Sequence, residues 1–371
     1  MNIAIIGTRG IPNHYGGFEQ FAEYLSVGLL QYGHQVTVYN SHNHPFQEKT
    51  WNGVNIIHKF DPEKKIGTAG QFIYDLNCIW DTRKRKYDIV LQLGYTSSTV
   101  WGWLLPMKRS VIATNMDGIE WRRSKFSPRV QKFLKWAESL AVKYSQFLIS
   151  DSVGVQRYLL KQYDVDSAYI PYGAHVFKNP NISILDQYDL KPNQYDMLIA
   201  RLEPENSIEA ILDGVVLANT GRPFLVIGNY DKEFGDFLLD KFGKNPSIRF
   251  LNSIYDINIL NNLRYYAHLY FHGHTVGGTN PSLLEAMASS TVICAHKNVF
   301  NESILGKDAY YFLNAKDVAA LLLSTDTTKN ESIKVNNVTK IDSLYTWENI
   351  IEQYNSFFEK IKGQFKHKLL R

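Results

Sequence analysis

The chain has 371 residues, of which 44% are apolar, 20% charged and 13% aromatic, with a net charge of +4. Such proportions support at least one large core and exclude collagen-like, low-complexity and broadly disordered classes. The length predicts two domains, and the distant pair Cys78 and Cys294 excludes a disulfide framework or zinc ribbon.

In chain order, Asn2–Ile6 is a short apolar run of the kind buried on both faces of a parallel sheet, and it lacks the basic flank and cleavage site of a signal peptide. A helical pattern over Phe18–Tyr32 and a strand at Gln35–Tyr39 follow. Further strands are predicted at Val54–His58, Ile89–Leu93, Val111–Thr114, Phe147–Ser150 and Ala168–Ile170. Their alternation with helical patterns argues for parallel βαβ units. Val100–Met107 is the most apolar stretch but is too short to span a bilayer and is broken by Gly102 and Pro106. A reduced, cytosolic protein is expected.

Charge is uneven along the chain. Residues 1–175 carry 20 Lys and Arg against 14 Asp and Glu, and residues 176–371 carry 20 against 22. Residues 122–143 hold much of the excess: Arg122, Arg123, Lys125, Arg129, Lys132, Lys135 and Lys143, opposed only by Glu138. From Pro128 the apolar positions recur at three- and four-residue steps, as in an amphipathic helix. Its basic side is either a solvated face or a patch for an anionic membrane surface or lipid diphosphate. No nucleic-acid motif accompanies the charge, so nucleic acid is not an expected partner.

Residues 172–194 lose periodicity and gather Pro, Asn and Gly, which marks a boundary between a domain at 1–175 and another at 190–344. The second strand series is Asp196–Ala200, Phe224–Gly228, Ile248–Leu251, Leu269–Phe271, Thr291–Cys294 and Tyr310–Phe312. An amphipathic helix over Trp347–Phe365 leads into the basic tail at Lys366–Arg371.

Three loops carry the chemistry. Gly7–Glu19 follows the first strand, and Gly16 and Gly17 would let backbone N–H groups approach an anion at the next helix start. The alternative is a tight strand-to-helix turn, and the Gly-x-Gly-x-x-Gly fingerprint is absent here. Ala200–Asn206 places Arg201 just past a strand, where its planar fork suits phosphate oxygens; the alternative is an ion pair with Glu203 or Glu205. Phe271–Met287 runs from a strand through Gly277 and Gly278 into a helix from about Pro281. Amides near Gly278, Thr279 and Asn280, and the Ser282 hydroxyl, would face an anion, while Glu285 could accept pairs of sugar hydroxyls; the alternative for Glu285, favoured on this residue alone, is a partly exposed helix position stabilised by the dipole. His272 and His274 share one face of an extended segment without an evident third ligand, and Asp164–Asp166 reads as a turn, so no metal site is expected.

Together these loops resemble the GT-B retaining glycosyltransferases of glycosyltransferase family 4, and specifically the bacterial polysaccharide rhamnosyltransferase-like subgroup. The matching stretches are Gly7–Glu19, Asp117–Arg122, Arg201–Asn206 and Gly277–Glu285, with a C-terminal helix entered through Tyr345–Glu348. The resemblance implies an α/β, GT-B fold: two Rossmann-like domains facing a cleft, with the segment 345–371 crossing back to an acceptor-binding domain at 1–175. It implies that the domain at 190–344 binds a nucleotide-diphosphate sugar, through Arg201 on the diphosphate and Glu285 on the nucleotide sugar. Gly278, Thr279, Asn280 and Ser282 complete that site, and Gly16 and Gly17 approach the phosphate. His14, Tyr15, Glu120, Trp121 and Arg122 are the implied acceptor-binding residues.

Two departures stand out. The first of the family's paired glutamates falls at Gly277, and its usual lysine falls at Asn206. A histidine common in the acceptor-domain loop gives way to Asn115–Asp117, so Asp117 is the candidate to take its role. The implied reaction is transfer of a hexose, L-rhamnose from dTDP-rhamnose, with retention, onto a lipid-diphosphate-linked saccharide in cell-surface polysaccharide synthesis. The implied location is the inner face of the bacterial cell membrane, and no cofactor or metal is required. A sugar-nucleotide epimerase of the same fold and a non-catalytic membrane-associated scaffold are the alternatives.

Overall fold

A computed structural model describes residues 1–14, 16–324 and 327–369. The chain divides into two compact units. One comprises residues 1–122, 126–173 and the segment from Trp347 onward; the other comprises Arg123–Lys125 and Ala174–Thr346.

The strands of the first unit are β1 (Asn2–Ile6), β2 (Gln35–Ser41), β3 (Thr50–Trp51), β4 (Val54–Lys59), β5 (Ile89–Leu93), β6 (Val111–Asn115), β7 (Phe147–Ser150) and β8 (Ala168–Tyr169). They form one sheet in the order β3-β4-β2-β1-β5-β6-β7-β8. All pairings are parallel except the short β3–β4 hairpin. Asn52 and Gly53, at φ 45° and 85°, form its two-residue turn, which needs two left-handed residues in succession. Ile3 lies between Val36 and Ile89, and Ile3, Ile5, Ile89 and Leu91 are fully buried. Burial on both sheet faces is why these strands read as unbroken apolar runs.

The C-terminal helix, Trp347–Leu369, packs on the helix Gly17–Gln31. Tyr24 stacks on Trp347 with centroids 4.5 Å apart, Phe21 contacts Tyr354 at 5.3 Å, and the His34 imidazole meets Asn355 Oδ1 at 2.6 Å.

In the second unit the strands are β9 (Asp196–Ile199), β10 (Phe224–Ile227), β11 (Ile248–Leu251), β12 (Leu269–His272), β13 (Ile293–His296) and β14 (Tyr310–Phe312). They form a wholly parallel sheet in the order β11-β10-β9-β12-β13-β14. Leu198, Val226, Phe271 and Phe312 pack with Ile211, Leu212 and Val318 in one core.

Strand order reverses beside the first strand of each unit, at β1/β5 and at β9/β12. Successive crossovers diverge to opposite faces there, which opens a crevice at the carboxyl ends of the strands. The Gly7–Gly16 loop leaves β1, and the Arg201 and His272–Asn280 loops leave β9 and β12. The topology therefore puts three of the sequence's candidate loops at such reversal points.

Candidate functional site

In the second unit the loops after β9 and β12 are bound together by their backbones. After Ile199 the chain turns through a short 3-10 helix at Pro204–Asn206, and Asn206 Nδ2 donates to the Arg201 carbonyl at 2.7 Å. Thr275 donates to the Glu205 carbonyl from both its amide (3.1 Å) and its hydroxyl (2.8 Å). Gly273 makes this approach possible, since a Cβ there would lie 2.0 Å from the Asn206 carbonyl oxygen.

Arg201 is exposed, and its guanidinium has no hydrogen bond or ion pair among the described residues. Its acidic neighbours are occupied elsewhere: Lys125 lies 3.4 Å from Glu203, and Arg123 lies 3.8 Å from the buried Glu205. A cation at the carboxyl ends of parallel strands with its fork unoccupied is suited to an anionic ligand.

The β12 loop enters the helix Pro281–Ala288 through Gly277 (φ 137°) and Asn280, whose side chain caps the helix by accepting from the Ser282 amide at 2.9 Å. The Gly278 amide donates to no described acceptor. Thr279 is buried, and the Ser282 hydroxyl is 2.8 Å from the Tyr270 hydroxyl.

One turn further, Glu285 pairs with Arg264 at 2.7 Å. The Arg264 side chain is wholly buried and is held by Asn261 at 2.9 Å, whereas the Glu285 side chain keeps 21% of its surface exposed. The buried guanidinium fixes one carboxylate oxygen and leaves the partly exposed edge of Glu285 for a ligand. Arg264 escapes a reading of local sequence because it lies 21 residues upstream, on the helix Ile257–Tyr266.

His272 and His274 stack with centroids 4.4 Å apart. Both His272 ring nitrogens are buried without a hydrogen bond. Burial, and then the charge of Arg264, push the His272 pKa down to about 3. Burial, the neighbouring His272, Arg201 and Arg123 hold His274 well below the usual imidazole range. Both rings are therefore neutral near pH 7, and the local positive charge resides on arginines. No group of three or more His, Cys, Asp or Glu side chains converges as a metal site among the described residues.

The first unit holds the remaining candidates on two loops separated by β5. In the β1 loop, Glu19 is buried and accepts from the Thr8 hydroxyl (3.1 Å) and the Arg9 amide (2.8 Å), so this carboxylate shapes the loop. Asn40 grips Ile11 through both its amide and its carbonyl, at 3.1 and 2.8 Å. Gly16 precedes a helix that has no side-chain cap, and Gly17 is its exposed first residue. Exposed His14 faces His44 at 6.4 Å. Tyr15 lies outside the described residues.

Asp117 follows β6 in the left-handed conformation (φ 50°), with its amide donating to Asn115 Oδ1 at 2.9 Å. Its side chain is half-buried. Next to it the Glu120 amide donates to the Tyr95 hydroxyl at 3.1 Å. Trp121 is gripped by cations, with the Arg122 guanidinium 5.2 Å and the Lys135 ammonium 4.7 Å from its ring centroid, while its indole N–H donates to Tyr158 at 3.1 Å. Beneath these residues, buried Glu138 accepts from Tyr158 (2.6 Å), Tyr163 (2.7 Å) and Tyr95 (3.3 Å). The lone acid of the basic stretch is thus an anchor for the Asp117–Arg122 loop.

A family model described as "Domain of unknown function (DUF1972)" matches residues 1–175. No curated protein matches the chain. Among solved structures, sucrose-phosphate synthase from Thermosynechococcus elongatus superposes with a TM-score of 0.80 at 16% identity, covering 98% of this chain and 99% of its own. HepE of Anabaena, solved with UDP and glucose, gives 0.74 at 15% identity over 97% and 99%. A trehalose-phosphate synthase from Burkholderia xenovorans, solved with glucose-6-phosphate, gives 0.70 at 11% identity over 97% and 100%. The two parallel-sheet α/β units are those of the GT-B fold that these structures share.

Proposed function

We propose that the protein is a glycosyltransferase whose second unit binds the nucleoside-diphosphate part of a sugar donor. The observation that carries this reading is the Arg201 fork, unpartnered among the described residues, at the β9/β12 reversal, on a loop tied by a backbone hydrogen bond to the one that ends at the Pro281 helix. HepE, similar in fold, is solved with UDP and with UDP-glucose, which supports a nucleotide donor. In this reading Arg201 meets the diphosphate together with the Gly278 amide and the helix start, and Glu285, set by Arg264, accepts hydroxyls of the nucleotide sugar.

The proposed transfer proceeds with retention. The acceptor hydroxyl oxygen bonds to the anomeric carbon on the face from which the diphosphate leaves. The bond from that carbon to the phosphate oxygen breaks, and the acceptor proton passes to the departing phosphate, with Asp117 orienting the hydroxyl. Charge develops on the leaving diphosphate, so a preset guanidinium and amides stabilise the transition state more than the ground state. These groups supply the positive charge, and the reading requires no metal.

The proposed donor is dTDP-L-rhamnose. Gly277 stands where the family places a carboxylate, and the space beside it is open, which suits a 6-deoxy sugar with fewer polar groups to satisfy. The proposed acceptor is a lipid-diphosphate-linked saccharide, met by His14, Tyr15, Glu120, Trp121 and Arg122 during cell-surface polysaccharide synthesis at the cytoplasmic membrane face.

Incubation with a panel of nucleotide sugars, with and without a lipid-diphosphate saccharide, tests the reading. Acceptor-dependent release of nucleoside diphosphate is expected. Acceptor-free isomerisation of the donor would instead mark an epimerase, and no turnover with any donor would mark a scaffold.

A further inference from the structure

Three segments of the first unit, far apart in sequence, form one exposed layer. The 3-10 helix Thr99–Leu104 packs against both the helix Ala69–Thr82 and the helix Pro128–Tyr144. Each segment turns a tryptophan outward: Trp80 is 50% exposed, Trp103 61% and Trp136 50%. Indole rings are ordinarily among the more buried side chains, so three in one layer need a reason.

Side-chain contacts tie the three segments together. Trp101 donates its indole N–H to the Phe72 carbonyl at 2.8 Å, Phe72 meets Phe133 at 5.8 Å, and Phe133 meets Trp136 at 5.7 Å. On the other side Arg83 donates to the Leu104 carbonyl at 2.7 Å while its guanidinium lies 5.8 Å from the Trp80 ring centroid. Exposed Ile73 shares a helix face with Trp80, seven residues on.

Charge on this layer has one sign. Arg129, Lys132, Trp136 and Lys143 follow one another at steps of three, four and seven residues, so the cations flank the indole on one helix face. The acids of the three segments are Asp75, Asp81 and Glu138, and all are engaged. Asp75 is buried against Ser97, Asp81 is paired with Lys59 and Arg85, and Glu138 is buried among tyrosines.

We infer that this layer is a docking face for the surface of an anionic lipid bilayer. Indoles settle at the boundary between headgroups and acyl chains, and lysines and arginines beside them attract anionic headgroups. Aromatic insertion and charge attraction together supply the two signals that stable peripheral binding needs. No described helix is long and apolar enough to cross a membrane, which fits shallow contact. A second copy of the chain is a poor occupant, because a two-fold contact would set this cationic layer against itself. The inference stands apart from the transferase reading, since vesicle binding needs no sugar.

Vesicle flotation of the full chain tests it, using phosphatidylglycerol mixed with phosphatidylcholine against phosphatidylcholine alone. The protein is expected to float with the anionic vesicles, less with the neutral ones, and less again as salt is raised. Replacing all three indoles (Trp80→Ser, Trp103→Ser, Trp136→Ser) should lower partitioning about tenfold or more, and so should Lys132→Glu with Lys143→Glu. Lys316→Glu, exposed on the second unit, should change nothing. Unchanged circular dichroism and melting would show that the variants fold. Absence of binding to the anionic vesicles, or equal binding by folded triple-tryptophan and parent proteins, would overturn the inference. So would sedimentation showing a dimer that the tryptophan substitutions dissolve.

Discussion

Arg201 and Asp117 divide the proposed chemistry, and substitutions at the two should behave differently. Arg201 is exposed and has no protein partner among the described residues, so Arg201→Ala should leave the melting temperature nearly unchanged. Turnover should fall by about 10²-fold or more, as when a group stabilising transition-state charge is lost. Steady-state kinetics beside thermal melts would show this, and a folded variant with normal turnover would remove Arg201 from the mechanism. Asp117 sits at φ 50°, a conformation that Asn also adopts readily, so Asp117→Asn isolates the charge from the backbone. That variant should bind nucleoside diphosphate with unchanged affinity yet transfer sugar slowly; unchanged transfer would leave Asp117 a structural role.

Elements were more legible in the sequence than the contacts between them. Buried parallel strands such as Ile89–Leu93 announce themselves because both faces demand apolar side chains. Arg201 could be singled out because it sits just past a strand end, and Glu285 because the family resemblance assigns it a role on the nucleotide sugar. Their surroundings could not. The partner of Glu285 comes from another helix, the three tyrosines on Glu138 come from a loop and a helix well separated in sequence, and the exposed tryptophans share a surface only after folding. The polar helix Thr327–Leu344 also lacks a periodic apolar stripe to mark it.

The packing of the helices Gly17–Gln31 and Trp347–Leu369 offers a test at this scale. A Cβ on Gly28 would lie 2.3 Å from Ile351 Cδ1 and within 2.9 Å of two further Ile351 carbons. Gly28→Val should therefore force the helices apart and cost about 1–3 kcal/mol in chemical denaturation, despite the better helix propensity of valine. A variant as stable as the parent would contradict this packing.

At the scale of the whole molecule, a buried carboxyl in one unit and a buried imidazole in the other respond to acid with opposite sign. In the first unit, burial and, more weakly, Asp61 raise the Asp75 pKa to about 7 against a Ser97 hydrogen bond that lowers it. Between pH 3.8 and about 7 the folded chain therefore holds a proton that the unfolded chain has lost, and stability falls as pH rises through that window. In the second unit, the His272 pKa is lowered from 6.5 to about 3, so its folded form resists a proton that the unfolded chain accepts. Stability is then lost as pH falls from 6.5 toward about 3. Calorimetric scans across this range should show Asp75→Asn flattening the first dependence and His272→Phe the second. Parallel shifts in both variants would refute the assignment.

The account as a whole depends on a nucleoside diphosphate binding to the second unit through Arg201. Calorimetric titration of the full chain with UDP and with dTDP, repeated on Arg201→Ala, tests that most directly. The expected result is saturable binding by the parent to at least one of the two and an affinity lower by about tenfold or more in the variant, as loss of a charge-assisted bidentate contact implies. No heat of binding from the parent with either nucleotide, or equal affinities in parent and variant, would contradict it.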